Sequence, residues 1–160
     1  MIVRAATLDD IAPMMDIHAQ IIAIGGTTSY LVPFDRDGFV ENYLGQPDTV
    51  CCHVAVVDGA VAGFQSLGVW PGLPEGWADI GTFVMPGLQR RSVGKPLFEA
   101  TQTVARQAGV AVINAAIRAD NTPGLGYYVR RGFMEYQRQP DYALANGQVV
   151  GRVLMRFDLG

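Results

Sequence analysis

Near the middle of the chain one periodicity gives way to another. An apolar run from Ile80 to Met85 is closed by Pro86-Gly87. Beyond Gln89-Arg90-Arg91-Ser92-Val93-Gly94, the residues Val93, Leu97, Thr101, Val104, Ala105 and Ala108 recur at helical spacing. A short apolar run bounded by turn residues reads as a buried strand, and spacings of three and four as one helix face. A strand that feeds a helix through so short a loop needs a sheet with helices packed on it. The first turn of such a helix presents backbone N–H groups that have no intrahelical partner, with the positive end of the helix dipole behind them. That makes it a cradle for phosphate. Arg90, Arg91 and Lys95, the last being the sole lysine, put three of the twelve cationic side chains here, although the net charge is −3. Local positive charge on an acidic chain points to an anionic ligand. Pro96 fits the first turn, which has no N–H bond to lose.

The other elements follow from pattern. Ile2 to Ala5 reads as a strand, and Thr7 with Asp10 as a capping box opening a helix to about Ile24, where Gly25-Gly26 end it. Ile11, Met14, Met15, His18, Ile21 and Ile22 mark its buried stripe. Asp35 opens a second helix through Leu44. Cys51 to Val57 and Ala60 to Leu67 flank Asp58-Gly59, the signature of a two-residue hairpin. Trp77 to Met85 and Val110 to Ile117 read as strands, Gly126 to Arg131 as a helix, and Phe133 to Arg138 and Gln148 to Phe157 as a final antiparallel pair joined across Ala145-Asn146-Gly147. The expectation is a single domain over residues 1–160, an α/β (α+β) fold with a mixed, mostly antiparallel sheet flanked by about four helices.

Composition excludes several classes. With 49% apolar and 17% charged residues, and Gly and Pro scattered, neither disorder nor a linker is expected. No apolar run reaches the ~20 residues of a membrane span, and no signal-peptide layout appears, so a soluble, cytoplasmic protein without a membrane partner is expected. An acidic chain without a basic stripe argues against nucleic acid. Cys51 and Cys52 are adjacent on a strand and point to opposite faces, which suits reduced thiols and not a mutual disulfide. His18 and His53 lie on different elements, and no spacing suggests a metal.

A second motif follows the first. Asn121-Thr-Pro-Gly-Leu-Gly-Tyr-Tyr128-Val-Arg-Arg-Gly132-Phe133 places Tyr seven residues and Gly-Phe eleven residues after Asn. This segment, together with the cradle, resembles the GNAT N-acetyltransferase superfamily, whose coenzyme loop runs Arg/Gln-x-x-Gly-x-Gly/Ala. Gln89 and Gly94 match, and Ser92 replaces the first glycine. The resemblance covers nearly the whole chain, most sharply residues 79 to 133, and implies a sheet splayed at its centre around acetyl-CoA. It implies further that Phe83, Val84 and Met85 offer backbone groups to the pantetheine arm, and that the amides from Gln89 through Arg90, Arg91, Ser92 and Val93 to Gly94 hold the pyrophosphate. Lys95 is read as an added contact or a solvated first-turn residue, and Asn121 as a helix N-cap or a coenzyme contact. Tyr128 takes the general-acid place, the alternative being a packed tyrosine. A phenol of pKa ~10 can protonate a thiolate whose conjugate acid lies near ~8.5.

Asp79 is the only carboxylate on the strand before the cradle. By resemblance it is the base, acting through water because its side chain is short; the alternative is an electrostatic role. Glu75 is the reserve. Thr28, Ser29 and Tyr30 lie in a loop similar to that of the phosphinothricin acetyltransferase-like branch, which acetylates small amino compounds; an ordinary helix connection is the other reading. The resulting expectation is direct transfer of acetyl from acetyl-CoA to a small primary amine, such as an amino acid or analogue, in a ternary complex, by a homodimer and without metal. A non-catalytic acyl-CoA-binding module and an acetyltransferase acting on protein amines are the alternatives. A nucleotide loop fits poorly, since Pro96 follows Gly94-Lys95 and no glycine lies five residues before Gly94.

Overall fold

The computed structural model describes residues 1–45, 48–88 and 91–160. The organising hairpin forms where the sequence places it. Asp58 and Gly59 both take positive φ, 51° and 78°, which a tight two-residue turn needs. They join β2 (Thr49–Val57) to β3 (Ala60–Gly68). β1 (Ile2–Ala5) adds outside β2, and β4 (Trp77–Val84) outside β3. With β5 (Val112–Arg118), β6 (Met134–Gln139) and β7 (Arg152–Asp158) they make one seven-stranded sheet, in the order β1-β2-β3-β4-β5-β7-β6. β4 and β5 are parallel, and the other described pairs are antiparallel.

Helices cover both faces. α1 (Ile11–Ile24), entered through a 3₁₀ turn at Leu8–Asp10, and α2 (Arg36–Leu44) lie on one side. There Ile11, Met14, Ile17, Phe39, Phe64 and Phe83 form the core. α3 (Gly94–Gln107) and α4 (Thr122–Arg130) lie on the other, over Ile80, Phe98, Ile113, Tyr128, Phe133 and Met155. Caps explain the starts. The Thr7 N–H donates to Asp10 at 2.8 Å, the Gly38 N–H to Asp35 at 2.7 Å, and the Gly124 N–H to Asn121 at 3.0 Å.

β4 and β5 pair only through Trp77↔Val112, Ala78↔Ile113 and Asp79↔Asn114. Beyond Asp79 the strands part. β4 stays with β3 as far as Val84, while β5 stays with β7. The Met85 N–H donates to the Ala62 carbonyl at 2.8 Å. Strand alternation turns Phe83 toward β3 as well, and leaves the backbone of Thr82 and Val84 facing the opening.

Several boundaries differ from the sequence reading. β4 ends at Val84 and β5 begins at Val112. α4 starts at Thr122, four residues earlier than Gly126, because Asn121 caps it and Pro123 sits in its first turn. The final strands are Met134–Gln139 and Arg152–Asp158, since the turn at 145–147 is held by an isolated bridge, Ala143↔Val149, before the chain reaches β7.

Candidate active site

The parting of β4 and β5 gathers the sequence-predicted residues from two sides. On the α1 and α2 side, at the last paired position, stands Asp79. Asn114 Nδ2 donates to its Oδ1 at 2.8 Å, and the Tyr136 hydroxyl donates to Asn114 Oδ1. Burial pushes the Asp79 carboxyl up to about 6, against the lowering effects of the Asn114 hydrogen bond and the Arg152 charge. A carboxylate in that range is ionised at neutral pH and still basic enough to accept a proton.

The loop between α1 and α2 reaches the same region. Arg118 Nη1 donates to the Thr28 carbonyl at 3.1 Å, and Asn121 Nδ2 to that of Thr27 at 3.2 Å. The Tyr30 N–H donates to Thr28 Oγ1 at 3.3 Å. Tyr30 packs on Phe34, with ring centroids 4.9 Å apart. Its phenol is raised first by burial, and the Asp79 charge raises it further, so the two are in electrostatic reach. Ser29, between Thr28 and Tyr30 in the chain, is half-buried. Glu75 is exposed in the loop before β4, away from the last paired position that Asp79 holds.

On the α3 and α4 side, Tyr128 is buried with its hydroxyl 2.9 Å from Thr82 Oγ1. Burial drives its phenol upward, and the Thr82 hydrogen bond opposes that rise. The neighbouring Tyr127 hydroxyl donates to the Gly94 carbonyl at 2.7 Å and accepts from Gln65 Nε2 at 3.1 Å. Gln65 Nε2 also donates to Thr82 Oγ1 at 2.9 Å. Sequence reasoning missed Gln65, Thr82, Asn114 and Tyr136. The one available signal was a glutamine and a threonine inside otherwise apolar strands.

In the cradle, Gln89 and Arg90 lie outside the described residues. Arg91 and Lys95 are exposed, and Val93 is fully buried. Ser92 takes φ 55°, the left-handed conformation that a glycine would adopt without strain. The missing side chain of Gly94 makes room for an aromatic ring, since a Cβ there would stand 2.5 Å from Tyr127 Cε2. Lys95 borders a hollow with Phe98, Glu99, Gln102, Arg130 and Arg131. A first-turn backbone with nearby cations suits a phosphate group, and the outward-facing Thr82 and Val84 backbone suits an amide-bearing arm.

Burial raises the Cys51 thiol to about 11 and the Cys52 thiol to about 12, so neither is a ready nucleophile. Among the described residues no group of three or more His, Cys, Asp or Glu is set to hold a metal ion, and no helix is long and apolar enough to cross a membrane. A separate hollow lined by Thr7, Leu44, Thr49, Cys51, His53 and other residues holds none of the candidates.

Residues 21–133 match the model of the acetyltransferase (GNAT) family. In fold the chain is similar to a GNAT superfamily phosphinothricin acetyltransferase from Sinorhizobium meliloti in complex with acetyl-CoA. The identity is 16%, over 99% of this chain and 88% of that one, with a TM-score of 0.88. It is similar too to a ribosomal-protein-alanine N-acetyltransferase from Brucella melitensis, at 19% identity over 99% of each chain and a TM-score of 0.88. A GCN5-related N-acetyltransferase from Kribbella flavida is 21% identical over 98% of this chain and 96% of that one, with a TM-score of 0.83. No curated protein sequence matches the chain.

Proposed function

This chain belongs to the acetyltransferase (GNAT) family, and we propose that it moves the acetyl group of acetyl-CoA to the primary amine of a small molecule, an amino acid or close analogue, by direct transfer in a ternary complex. The observation that carries the reading is Asp79, held at the base of the opening by Asn114 with its carboxyl near 6. An amine of pKa ~10 arrives protonated at neutral pH, and Asp79 takes its proton, through water where the reach is too long. Acetyl-CoA supplies an activated acyl group as a thioester. One outward-facing backbone N–H of the Thr82–Val84 stretch polarises its carbonyl. The first-turn amides of α3, with Ser92, Arg91 and Lys95, hold its pyrophosphate. Tyr128, on the opposite side of the sheet from Asp79, returns a proton to the departing thiolate.

Thr28, Ser29 and Tyr30 line the acceptor side. Arg152, whose charge is felt by Asp79, supports an acceptor that carries a carboxylate beside its amine. The reading extends to a single domain over residues 1–160 working in the cytoplasm, which the two free thiols support. It also includes a homodimer, for which exposed Ile24, Leu31 and Val32 offer apolar surface.

Calorimetric titration with acetyl-CoA, against adenosine diphosphate as control, is expected to give stoichiometric binding much tighter than the control. A panel of amino acids and an N-terminal peptide amine, assayed with Asp79→Asn and Tyr128→Phe, then tests the transfer. Losses of about 100-fold or more in kcat are expected for each variant on an amino-acid acceptor. Turnover of the peptide alone would replace the small-molecule reading, and no acetyl-CoA binding by the folded protein would end it.

A further inference from the structure

The buried polar cluster beneath the opening has an internal direction. Tyr127 has a single hydroxyl hydrogen, and it goes to the Gly94 carbonyl, a pure acceptor, at 2.7 Å. The Tyr127 oxygen must therefore accept from Gln65, which fixes the amide nitrogen of Gln65 on that side. The same nitrogen donates to Thr82 Oγ1, so both amide hydrogens are committed. Gln65 is 0% exposed, and its Oε1 has no hydrogen-bond partner among the described residues, so its donors are what the cluster uses. Thr82 Oγ1, already accepting from Gln65, keeps its own hydrogen, and the oxygen at hydrogen-bonding distance from it beyond Gln65 is Tyr128 Oη, at 2.9 Å. Thr82 also helps lower the Tyr127 phenol, as the smallest of its influences, whereas its hydroxyl stands at full hydrogen-bonding distance from Tyr128 Oη.

We propose that Gln65 and Thr82 are positioning residues for the acid of this enzyme: Gln65 holds Thr82 so that its hydroxyl donates to Tyr128 Oη and leaves the Tyr128 hydrogen free to point at the departing thiolate. This rests on Tyr128 being the acid of the transfer proposed above. If Tyr128 donated to Thr82 instead, its proton would be turned away from the opening. The direction matters again after the step. As the C–S bond breaks, sulfur takes the Tyr128 proton, and the phenolate left behind stays under the Thr82 O–H until water reprotonates it. Burial works against ionising this phenol, and the hydrogen bond that opposes burial comes from Thr82.

The test is a double-mutant cycle in the full chain, with acetyl-CoA binding followed by calorimetry and kcat followed against pH. Thr82→Val, which keeps the shape and removes the hydroxyl, is expected to lower kcat about tenfold, a step below the ~100-fold of a lost acid. Acetyl-CoA affinity should stay within about twofold, and Thr82→Ser should recover most of the rate. Gln65→Leu should lower kcat in the same way. In a Tyr128→Phe background, Thr82→Val should cost nothing further, because its route of action is gone. A loss that persists in that background, or a loss seen equally in acetyl-CoA affinity, would overturn the positioning role. Thr82→Ser behaving no better than Thr82→Val would do the same. An unchanged kcat in Tyr128→Phe alone would instead remove the acid assignment, and the two failures are thereby distinguished. Thermal melts of each variant separate a folding defect from either outcome, and Gln65→Leu, alone and in the Tyr128→Phe background, carries the test if the valine variant unfolds.

Discussion

Ser92 holds a place where the backbone asks for glycine. At φ 55° its β-carbon crowds the following carbonyl, at a cost of ~1–2 kcal/mol. Ser92→Gly removes that crowding but adds unfolded-chain freedom worth about 0.5–1 kcal/mol. A net gain of up to about 1.5 kcal/mol is expected, seen as a rise of roughly 3–6 °C at most in the melting midpoint. A fall in the midpoint would mean that the serine hydroxyl itself holds the turn. Gly94 teaches the opposite lesson. Its pattern was readable as a phosphate contact, while the atom it makes room for belongs to Tyr127, 33 residues on. Motif residues such as Asn121 and Tyr128 were legible because their spacing is local. Gln65 and Thr82 were not, because their meaning lies in bonds spanning 17, 46 and 62 residues that no local period records.

At the scale of elements, α4 and the α1–α2 loop depend on one another. Asn121 caps α4 through its oxygen and ties down the Thr27 carbonyl through its nitrogen. Two substitutions separate these jobs. Asn121→Ala is expected to cost about 1 kcal/mol of stability through loss of the cap. Asn121→Asp keeps a cap oxygen and suits the helix dipole, but it sets a carboxylate against the Thr27 carbonyl. Its stability should hold while KM for the acceptor rises severalfold and acetyl-CoA affinity does not move. Steady-state kinetics with a thermal melt check both, and an unchanged acceptor KM would disconnect the loop from the acceptor. Elements with chemical punctuation, such as the Asp58-Gly59 hairpin and the Gly25-Gly26 stop, were readable in the chain. The insertion of β7 between β5 and β6 was not, because the choice between neighbouring edges is made by side chains packing under α3 and α4, Met155 and Val153 among them. The start of β5 was misjudged for a related reason: Val110 is apolar, but its N–H closes the end of α3 on Ala105.

Across the whole molecule two buried groups pull stability in opposite directions with pH. His18, caged by Phe34, Phe39, Tyr43 and Phe83, is lowered by burial to about 4, from an ordinary value of 6.5. As pH falls from 6.5 to 4 the unfolded chain takes up a proton there and the fold does not, so stability falls by about 3 kcal/mol. His53, also lowered by burial, adds in the same sense. Asp79 behaves oppositely. Raised from 3.8 to about 6, it gives a contribution that is full below its unfolded value and lost as pH rises through about 6. The native protein should therefore show a shallow stability profile from pH 6.5 to 4. Asp79→Asn should be the more stable protein near pH 7 and should lose stability more steeply toward pH 4. Urea melts across that range measure both slopes, and parallel profiles would refute the opposition. The three backbone pairs that join β4 to β5 carry one more implication. The sheet is two lobes stitched along a short seam, and a thioester arm lying between β4 and β5 would clasp both. At a concentration one hundred times its dissociation constant, such a ligand adds about 2.7 kcal/mol to the folded state. The resistance of this protein to proteolysis then becomes a gauge of acyl-donor supply, high when the donor is plentiful and low when it is scarce.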